Sequence, residues 1–435
     1  MALLEKIEQL EARVGIIGLG YVGLPLAATV GQAGYRVVGI EVSQRIVDMV
    51  NAGRSHIGDV PNEEVGQLVQ AGRLRATTDY AAVSDCDVII ICVPTPLDKN
   101  RQPDISCIIS AGQGIAAHMH PGQLISLEST TYPGTTEEDL LPVLRRSGLE
   151  AGRDFFLAFS PERVDPGSKN WNTRNTPKVV GGLTPACQEA ALAFYSRVVE
   201  KVVPVSSPRA AEMTKIFENT FRVVNMAVVN EMAMLCDRMG LSIWEIIEAA
   251  STKPFGFMPF YPGPGVGGHC IPLDPFYLTW KAREYDFHTR FIELAGEINL
   301  QMPYFARDKV IRALNGRGKA VKGARILVLG LAYKEDVADW RESPAFDVIR
   351  LLEEYGAEVL PHDPLLPEVD DPHEGIHIRS IELTDSIIAS VDCVVVVTHH
   401  SAYDYQHIVD LAQVVVDTRN ATRNVTRGRE KIVVL

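Results

Sequence analysis

Short, nearly continuous runs of apolar residues alternate with longer amphipathic stretches through the first half of the chain. The runs read RVGIIG, YRVVGIE, DVIIICVP, QLISLES, FFLAFS, KVVGG and VVPVS. Runs rich in valine and isoleucine, without polar residues at alternate positions, are typical of parallel strands that are covered on both faces. The pattern therefore predicts a doubly wound α/β sheet with helices between its strands.

A second region with the same pattern begins near Ala324. Its apolar runs are ARILVLG, AEVLPHD, VDCVVVV and QVVVD, which predict a further parallel sheet. The stretch from 208 to 239 has no glycine or proline after Pro208, and Gly240 follows it as a stop signal. It predicts one helix of about 48 Å, with Ser207 as the N-cap, that bridges two lobes and offers an apolar stripe for subunit contact.

The predicted fold class is therefore α/β, with two Rossmann-like doubly wound domains joined by a long central helix and a helical middle domain. The expected boundaries are 1–207 for the first domain, 208–318 for the helical domain and 319–435 for the last. A chain of 435 residues is too long for a single core, which agrees with such a division.

The first predicted strand runs directly into the sequence GLGYVG. Gly18 suits a tight turn, Gly20 lets a pyrophosphate approach the backbone, and Gly23 lets helix and strand pack closely. Glu41, at the end of the second strand, is suited to accept hydrogen bonds from the adenosine ribose and to repel a 2′-phosphate. The spacing predicts NAD rather than NADP, although Arg45 nearby leaves NADP open. Gly18, Gly20, Tyr21, Val22, Gly23, Glu41 and Arg45 are the expected cofactor residues of this region.

The net charge and composition limit the classes of partner that the protein can bind. The formal net charge is −13, so nucleic acid and anionic membranes would be repelled over most of the surface, whereas a small anionic ligand remains compatible. No run of about 18 uninterrupted apolar residues and no signal-peptide pattern appear. We therefore expect a cytoplasmic protein with no membrane partner.

The seven cysteines include no CxxC pair, which argues against a disulfide framework or a zinc finger. His399 and His400 lack a third ligand at metal spacing, so no metal is expected.

Cys270 differs from the other cysteines because it lies in GPGVGGHCIPLDP, where glycine and proline predict a rigid loop that presents the thiol. A small buried apolar role is the alternative. A dyad with the adjacent His269 is disfavoured, because neighbouring side chains of an extended loop point apart.

The motifs GLGYVG, CVPTP, EST, FSPERVDPG, EMTKIFENTFR, GPGVGGHCIPLDP and GLAYKEDVADWRESP occur in this order over nearly the whole chain. Together they resemble those of the nucleotide-sugar dehydrogenases, the UDP-glucose/GDP-mannose dehydrogenase family. The resemblance implies oxidation of the sugar C6 alcohol to a carboxylate, with two NAD⁺ reduced and a covalent thioester on the loop cysteine, here Cys270. A thiol suits this chemistry, because its adduct with the intermediate aldehyde has a second hydride to lose.

The same resemblance implies roles for further residues, of which Lys215 and Asn219 lie four apart on the predicted central helix and share one of its faces. Both are expected to stabilise oxyanions. Glu162 is expected to promote thioester hydrolysis, and Asp274 and Thr130 to hold or activate the water. Thr95 and Thr130 also follow strands, at the edge where cofactors bind. The expected substrate residues are Glu162, Arg163, Lys215, Asn219, Gly267, Lys334 and Arg419.

The sugar and the assembly are less sharply indicated. PERVDPG differs from the PEFLAEG that is usual in the UDP-glucose branch of the family. KPFGFMPFYPGPGVGGHC resembles enzymes acting on N-acetylated amino sugars, nearest to those using UDP-N-acetylglucosamine, while UDP-N-acetylmannosamine, UDP-N-acetylgalactosamine and UDP-glucose stay open. A two-electron hydroxy-acid dehydrogenase and a catalytically silent sensor of NAD or UDP-sugar are the alternative functions. The resemblance implies a homodimer or a multiple of dimers, an NAD-binding first domain and a UDP-sugar-binding last domain.

Overall fold

The computed structural model describes residues 2–58, 60–98, 102–165, 167–168, 170–268, 273–371 and 375–435. Contacts within the chain divide it into two compact units. The first unit comprises Met1–Glu218 and Phe276–His288, and the second comprises Asn219–Pro275 and Thr289–Leu435. The expected three-domain boundaries are not decided by this division and stay a prediction.

The first unit contains an eight-stranded sheet in the order β3-β2-β1-β4-β5-β6-β7-β8. Its strands are β1 (Arg13–Ile17), β2 (Arg36–Ile40), β3 (Leu74–Thr77), β4 (Val88–Ile91), β5 (Leu124–Leu127), β6 (Phe156–Phe159), β7 (Lys178–Gly182) and β8 (Val202–Val205). Strands β1 to β6 pair in parallel. Because β1 lies between β2 and β4, the chain reverses its direction of winding there, and the loops after β1 and β4 open a crevice at the carboxyl edge.

The continuous apolar runs form strands because both faces of this sheet are covered. In β1, Val14 and Ile16 belong to one buried cluster and Ile17 to another, and in β4 Ile90 and Ile91 divide in the same way. Successive residues of a strand point to opposite faces, so each run contributes side chains to both cores. The covering helices of this unit are α1 (Leu3–Glu8), α2 (Gly23–Gln32), α3 (Gln44–Asn51), α4 (Asn62–Gln70), α5 (Ser106–His118), α6 (Leu141–Leu144) and α7 (Pro185–Val198).

One strand pair departs from the parallel pattern. Strand β7 runs antiparallel to β6, and β8 then pairs in parallel with β7. A parallel return needs a crossover, usually a helix, and the described residues between β6 and β7 contain no helix. Pro204 is compatible with β8 because this strand lies at the sheet edge, where a missing N–H is tolerated.

The long helix α8 spans Pro208–Met239, the bounds that the sequence predicts, and the Ser207 hydroxyl accepts a hydrogen bond from Ala210 N–H. The boundary between the two units falls within it. In the first unit Glu212 anchors it: the carboxylate is fully buried and accepts hydrogen bonds from Gly134 N–H (2.5 Å), Thr136 N–H (2.9 Å) and the Thr136 hydroxyl (2.6 Å). Glu212 thereby joins α8 to the loop that follows β5.

The second unit contains a parallel five-stranded sheet, in the order β10-β9-β13-β14-β15, and a two-stranded antiparallel sheet. The strands are β9 (Arg325–Leu329), β10 (Glu358–His362), β11 (Glu368–Asp371), β12 (Ile376–Arg379), β13 (Cys393–Val396), β14 (Val415–Asp417) and β15 (Ile432–Val434). The remaining helices of the chain are α9 (Ile243–Ser251), α10 (Asp274–Ala282), α11 (Arg290–Asn315), α12 (Pro344–Glu354), α13 (Asp385–Ser390) and α14 (Tyr405–Leu411).

The eight-stranded and five-stranded sheets match the α/β class that the sequence predicts. Within the described part of the chain, no helix has the length and apolar character that crossing a membrane requires.

Replacing Glu212 by alanine is expected to lower the free energy of unfolding of the first unit by about 3 kcal/mol, because three buried donors lose their acceptor. Urea unfolding followed by far-UV circular dichroism measures the change. The matched control is Glu231→Ala, which removes an exposed carboxylate from the same helix and should cost less than about 0.5 kcal/mol. Equal effects of the two substitutions would contradict the anchoring role.

Candidate active site

The glycine-rich loop between β1 and α2 has the geometry that each glycine was expected to allow. Gly18 has a φ of 86°, a left-handed conformation that favours glycine. A side chain on Gly23, the first residue of α2, would collide with the carbonyl oxygen of Gly18. A Cβ placed on Gly20, by contrast, would have no heavy atom of the described residues packed within 4 Å of it. The loop therefore leaves backbone accessible beside the start of a helix, where an anionic group is favoured.

Glu41 closes this loop against the end of β2. Its side chain is 9% exposed, and its carboxylate accepts hydrogen bonds from Leu19 N–H (2.9 Å) and Ser43 N–H (3.0 Å). Each carboxylate oxygen keeps a further lone pair for a hydroxyl donor. Of the other expected cofactor residues, Tyr21 is 46% exposed, Val22 is half-buried and Arg45 is exposed on α3.

Thr95 and Thr130 join the loops that follow two neighbouring strands, β4 and β5. The Thr95 hydroxyl donates to the Thr130 carbonyl oxygen at 2.6 Å, and the Thr95 carbonyl oxygen accepts from the Tyr277 hydroxyl. Both residues lie at the same carboxyl edge as the glycine loop, because β1, β4 and β5 are adjacent and parallel.

Glu162 and Lys215 are brought together although 53 positions separate them. The Lys215 ammonium, on α8 and 8% exposed, donates to the backbone carbonyl of Glu162 at 2.8 Å. The Glu162 carboxylate is oriented by two hydrogen bonds of 2.8 Å, from Arg163 N–H and Val164 N–H. The carboxylate is thus held at the end of β6 in a fixed orientation.

The guanidinium of Arg163 is engaged within the protein. It makes a bidentate ion pair with Glu218 on α8, at 2.5 and 3.0 Å, and donates to the Pro177 carbonyl oxygen at 2.7 Å. These contacts join the segment after β6 to α8. The expected contact of Arg163 with substrate stays a prediction.

A buried ion pair that the sequence reasoning missed lies directly behind Glu162. The Lys178 ammonium is 2.8 Å from Glu128 Oε2 and 3.7 Å from Glu162 Oε2, and Lys178 and Glu128 are 4% and 1% exposed. Burial alone would lower the pKa of Lys178, but the two carboxylates outweigh it, and the net pKa is raised. The lysine is therefore a cation. Charged residues at the ends of the apolar runs QLISLES and KVVGG were the available signal.

Asn219 and Asp274, in the second unit, form a buried pair. The Asn219 amide donates to Asp274 Oδ2 at 2.5 Å, and the two side chains are 7% and 3% exposed. Asp274 is the first residue of α10. The structure thus brings together two of the expected catalytic residues that are far apart along the chain.

The glycine-rich loop ahead of Cys270 packs on the motifs of the C-terminal sheet. A side chain on Gly263 would collide with the Arg419 guanidinium, and one on Gly267 or Gly268 would collide with the ring or Cβ of Tyr333. Gly268 N–H also donates to the Arg341 carbonyl oxygen at 3.3 Å. The loop therefore needs glycine for close packing.

The remaining predicted residues divide between described and undescribed parts. Lys334 is half-buried in the loop after β9, in the YKED motif next to Tyr333. Arg341, a further residue of the same motif that is not among the predicted site residues, makes a bidentate pair with Asp339, with hydrogen bonds of 2.9 and 2.7 Å. Cys270 and His269 lie outside the described residues, so the expected nucleophile stays a prediction.

Two of the other cysteines, and His400 of the histidine pair, are buried within the protein. Burial raises the pKa of the Cys86 and Cys393 thiols to about 12, so both are protonated at neutral pH. His400 is buried between Asp363 (3.0 Å) and the N–H of Asp336 (3.0 Å). Within the described ranges, no group of three or more His, Cys, Asp or Glu side chains could hold a metal ion.

The chain was compared with models of known protein families. Models of the UDP-glucose/GDP-mannose dehydrogenase family match three successive parts of the chain: the NAD binding domain at 12–199, the central domain at 209–301 and the UDP binding domain at 327–424. These matches together cover most of the sequence.

Individual relatives match this chain over most of its length and most of their own. A UDP-N-acetyl-D-glucosamine 6-dehydrogenase of Pseudomonas aeruginosa is 38% identical over 367 residues, covering 84% of this chain and 85% of that protein. An NDP-N-acetyl-D-galactosaminuronic acid dehydrogenase of Ralstonia nicotianae is 35% identical over 421 residues, covering 93% and 95%. The solved structure of a UDP-D-ManNAc dehydrogenase from Pyrococcus horikoshii matches with a TM-score of 0.87 and 31% identity, covering 97% of this chain and 98% of that one.

Replacing Glu41 by alanine is expected to weaken NAD binding by about tenfold or more, because the loss frees the Leu19 and Ser43 N–H groups and removes an acceptor for ribose hydroxyls. Isothermal titration calorimetry with NAD measures the dissociation constant. The matched control is Asp48→Ala on α3, whose exposed carboxylate accepts from Gln44 and should leave the constant within about twofold. Unchanged affinity in Glu41→Ala would contradict the assignment.

Proposed function

The chain belongs to the UDP-glucose/GDP-mannose dehydrogenase family, and we propose that it oxidises the C6 alcohol of UDP-N-acetylglucosamine to the carboxylate. The observation that carries the chemistry is the convergence of Lys215 on Glu162 in one unit and of Asn219 on Asp274 in the other. The choice of sugar is supported by the similarity to the 6-dehydrogenase from Pseudomonas aeruginosa, and relatives named for other N-acetylated sugars are the alternatives.

NAD is the cofactor of this family, and the residues present fit it. The open approach to Gly20, the start of α2 and the oriented carboxylate of Glu41 would hold its pyrophosphate and ribose. Thr95 and Thr130, together with Tyr21, Val22 and Arg45, belong to the same proposed set. When bound, NAD accepts one hydride at each of two oxidations.

The protein groups have separate tasks in the proposed reaction. Lys215 and Asn219 stabilise negative charge on the C6 oxygen as the alcohol loses its proton and hydride to become an aldehyde. The Cys270 thiolate adds to the aldehyde, forming a C–S bond, and loss of the second hydride from this adduct leaves a thioester. Two electron pairs have then left the carbon.

Hydrolysis releases the product. Water attacks the acyl carbon, its proton passes to the Glu162 carboxylate, the C–S bond breaks and the Cys270 thiolate is restored. Asp274, held by Asn219, and Thr130 are the proposed groups that orient the water. Across the whole reaction, one alcohol and one water give one carboxylate, while two hydrides and the corresponding protons are released.

The substrate residues proposed in the second unit surround one loop. Arg419, beside Gly263, would pair with the diphosphate as a bidentate cation. Gly267 and Lys334 belong to the packed motifs on either side of Tyr333 and are proposed to contact the sugar. Arg163 and Glu162 are the proposed substrate contacts of the first unit.

Purified protein is expected to release two NADH for each UDP-N-acetylglucosamine consumed, measured by absorbance at saturating NAD and quantified sugar. UDP-N-acetylmannosamine, UDP-N-acetylgalactosamine and UDP-glucose, assayed in parallel, should give lower kcat/KM.

Cys270→Ser should lower kcat by at least about a thousandfold, because a serine hydroxyl is a far weaker nucleophile at neutral pH. The control Cys236→Ser alters a cysteine of the α8 region and should retain turnover.

Different outcomes reject different parts of the proposal. One NADH per sugar, or full turnover in Cys270→Ser, would favour a two-electron dehydrogenase. Binding of UDP-sugars without turnover of any of them would favour a sensor. A higher kcat/KM for another sugar would leave the chemistry intact and change the substrate.

We further propose that a second copy of the chain covers an apolar stripe on α8. Val228, Met232, Leu235 and Met239 are spaced by four, three and four residues, and they are 53%, 38%, 46% and 61% exposed. This spacing puts them on one side of the helix, and such a contiguous apolar face is typical of an interface. A symmetric dimer would bury the same stripe from each copy.

The double substitution Val228→Asp and Leu235→Asp is expected to convert a dimer into a monomer, because charges would be buried without partners at the contact. Sedimentation velocity measures the mass. The control Leu365→Asp places a charge at a 40% exposed leucine outside α8 and should leave the assembly unchanged. A wild-type monomer, or a dimer that survives both aspartates, would contradict the interface.

A further inference from the structure

The loop that follows β5, residues 128–135, presents Thr130 between buried neighbours. Thr130 is half-buried, whereas Ser129 and Thr131 on either side of it are 5% and 2% exposed. Thr135 and Thr136, further along, are fully buried. Packed interior groups leave little room for movement. The position of Thr130 is therefore set by the contacts that hold the two flanks of this loop.

The flank before Thr130 is tied to the loop that follows β4. The Ser129 hydroxyl donates to the Val93 carbonyl oxygen at 2.8 Å, and the Thr95 hydroxyl donates to the Thr130 carbonyl oxygen at 2.6 Å. Strands β4 and β5 are neighbours in the sheet. This flank is thus fixed to the adjacent strand end.

The flank after Thr130 is tied to α8 through Glu212. The loop runs into a short π-helix, Thr136–Leu140. The N–H groups at the start of a helix lack acceptors within it. Here Gly134 N–H, Thr136 N–H and the Thr136 hydroxyl all donate to the Glu212 carboxylate, at 2.5, 2.9 and 2.6 Å. A carboxylate, which only accepts hydrogen bonds, suits a set of three donors.

The backbone at Gly134 is specialised for this contact. Gly134 has a φ of 110°, a left-handed conformation that favours glycine. A side chain there would also collide with the carboxylate of Glu138. The turn that directs the Gly134 N–H toward Glu212 therefore depends on glycine.

Glu212 and Lys215 lie three residues apart on α8 and so share one side of the helix. The Lys215 ammonium donates to the Glu162 carbonyl oxygen at 2.8 Å, in the segment that follows β6. Both contacts lie within the first unit. One turn of α8 therefore fixes the segments after two adjacent strands, β5 and β6, relative to each other.

We propose that Glu212 is a positioning residue that holds Thr130 in place relative to Lys215 and Glu162 during the reaction. This inference rests on the roles proposed above for those three residues. Glu212 is fully buried and its oxygens accept from the loop, so it acts through Thr130 rather than by touching substrate. Without it, the loop keeps its tie to Thr95 but is released from α8. Displacing a reacting group by about 1 Å can cost about a hundredfold in rate.

Glu212→Gln in the full-length enzyme tests this role. Glutamine has nearly the same volume, but its amide group directs N–H donors at Gly134 or at Thr136, which are donors themselves. The kcat should fall about tenfold, while KM for UDP-N-acetylglucosamine stays within about twofold. NADH absorbance at saturating NAD measures both. Assays at about pH 8.5 keep Glu212 ionised in the wild type, because burial raises its pKa to about 7.

A double-mutant cycle with Thr130→Val distinguishes positioning from a general loss of structure. Thr130→Val alone should lower kcat by about tenfold, because it removes the hydroxyl that orients water. If Glu212 acts through Thr130, adding Glu212→Gln to Thr130→Val should lower kcat by less than a further threefold or so. A purely structural role would instead multiply the two losses to about a hundredfold.

Thr136→Val provides a second, milder variant. It removes the hydroxyl donor and leaves the backbone donors to Glu212, so kcat should fall about threefold, and this loss should also vanish in the Thr130→Val background. It carries the test if Glu212→Gln does not fold. The control Arg209→Gln removes another contact of α8 with the π-helix, to Glu138 at 2.7 Å. That pair is open to water, so kcat should stay within about twofold.

The outcomes separate this inference from the proposed function. Losses that multiply, a folded Glu212→Gln with kcat within about twofold of the wild type, or a larger effect on KM than on kcat would overturn the inference alone. If Glu212→Gln does not fold, an unchanged kcat in Thr136→Val would do the same. Full activity in Thr130→Val would overturn the role proposed for Thr130 and this inference with it.

Discussion

A charged side chain that is buried in a sheet covered on both faces needs a partner, and this requirement determines where polar groups can lie in the first unit. Water cannot reach the interior of the sheet, so an isolated ammonium or carboxylate there would be strongly destabilising. Lys178 and Glu128 satisfy the requirement at the strand ends, and Glu212 does so with backbone donors. The polar groups of the site are consequently confined to the carboxyl edge, where the glycine loop and the segment of Glu162 also lie.

The fold was largely predictable, because its signals are local. Continuous apolar runs identify strands that contribute to two cores, and an uninterrupted stretch bounded by Pro208 and Gly240 identifies α8. The antiparallel orientation of β7 was not predicted, since KVVGG has the same composition as the parallel strands around it. Its direction depends on a connection without a helix, which composition does not encode.

The site was predictable to a different extent. The turn of Gly18 and the acidic residue at the end of β2 follow from short spacings, and the structure has the loop in the conformation that these require. The pairing of Lys178 with Glu128 joins residues 50 positions apart, and that of Arg163 with Glu218 joins residues 55 apart. Such pairs arise only when strands and helices pack, so neither residue carries a local signal of its partner.

The missing side chain of Gly263 has a consequence for recombining this protein with its relatives. The guanidinium of Arg419 occupies the space that a Cβ would fill, so the loop and the arginine are complementary in shape across more than 150 positions of sequence. A chimera that imports this loop with alanine at its first glycine would displace the arginine. The loop that contains Gly263 and the segment that contains Arg419 therefore have to be exchanged together if the hybrid is to remain active.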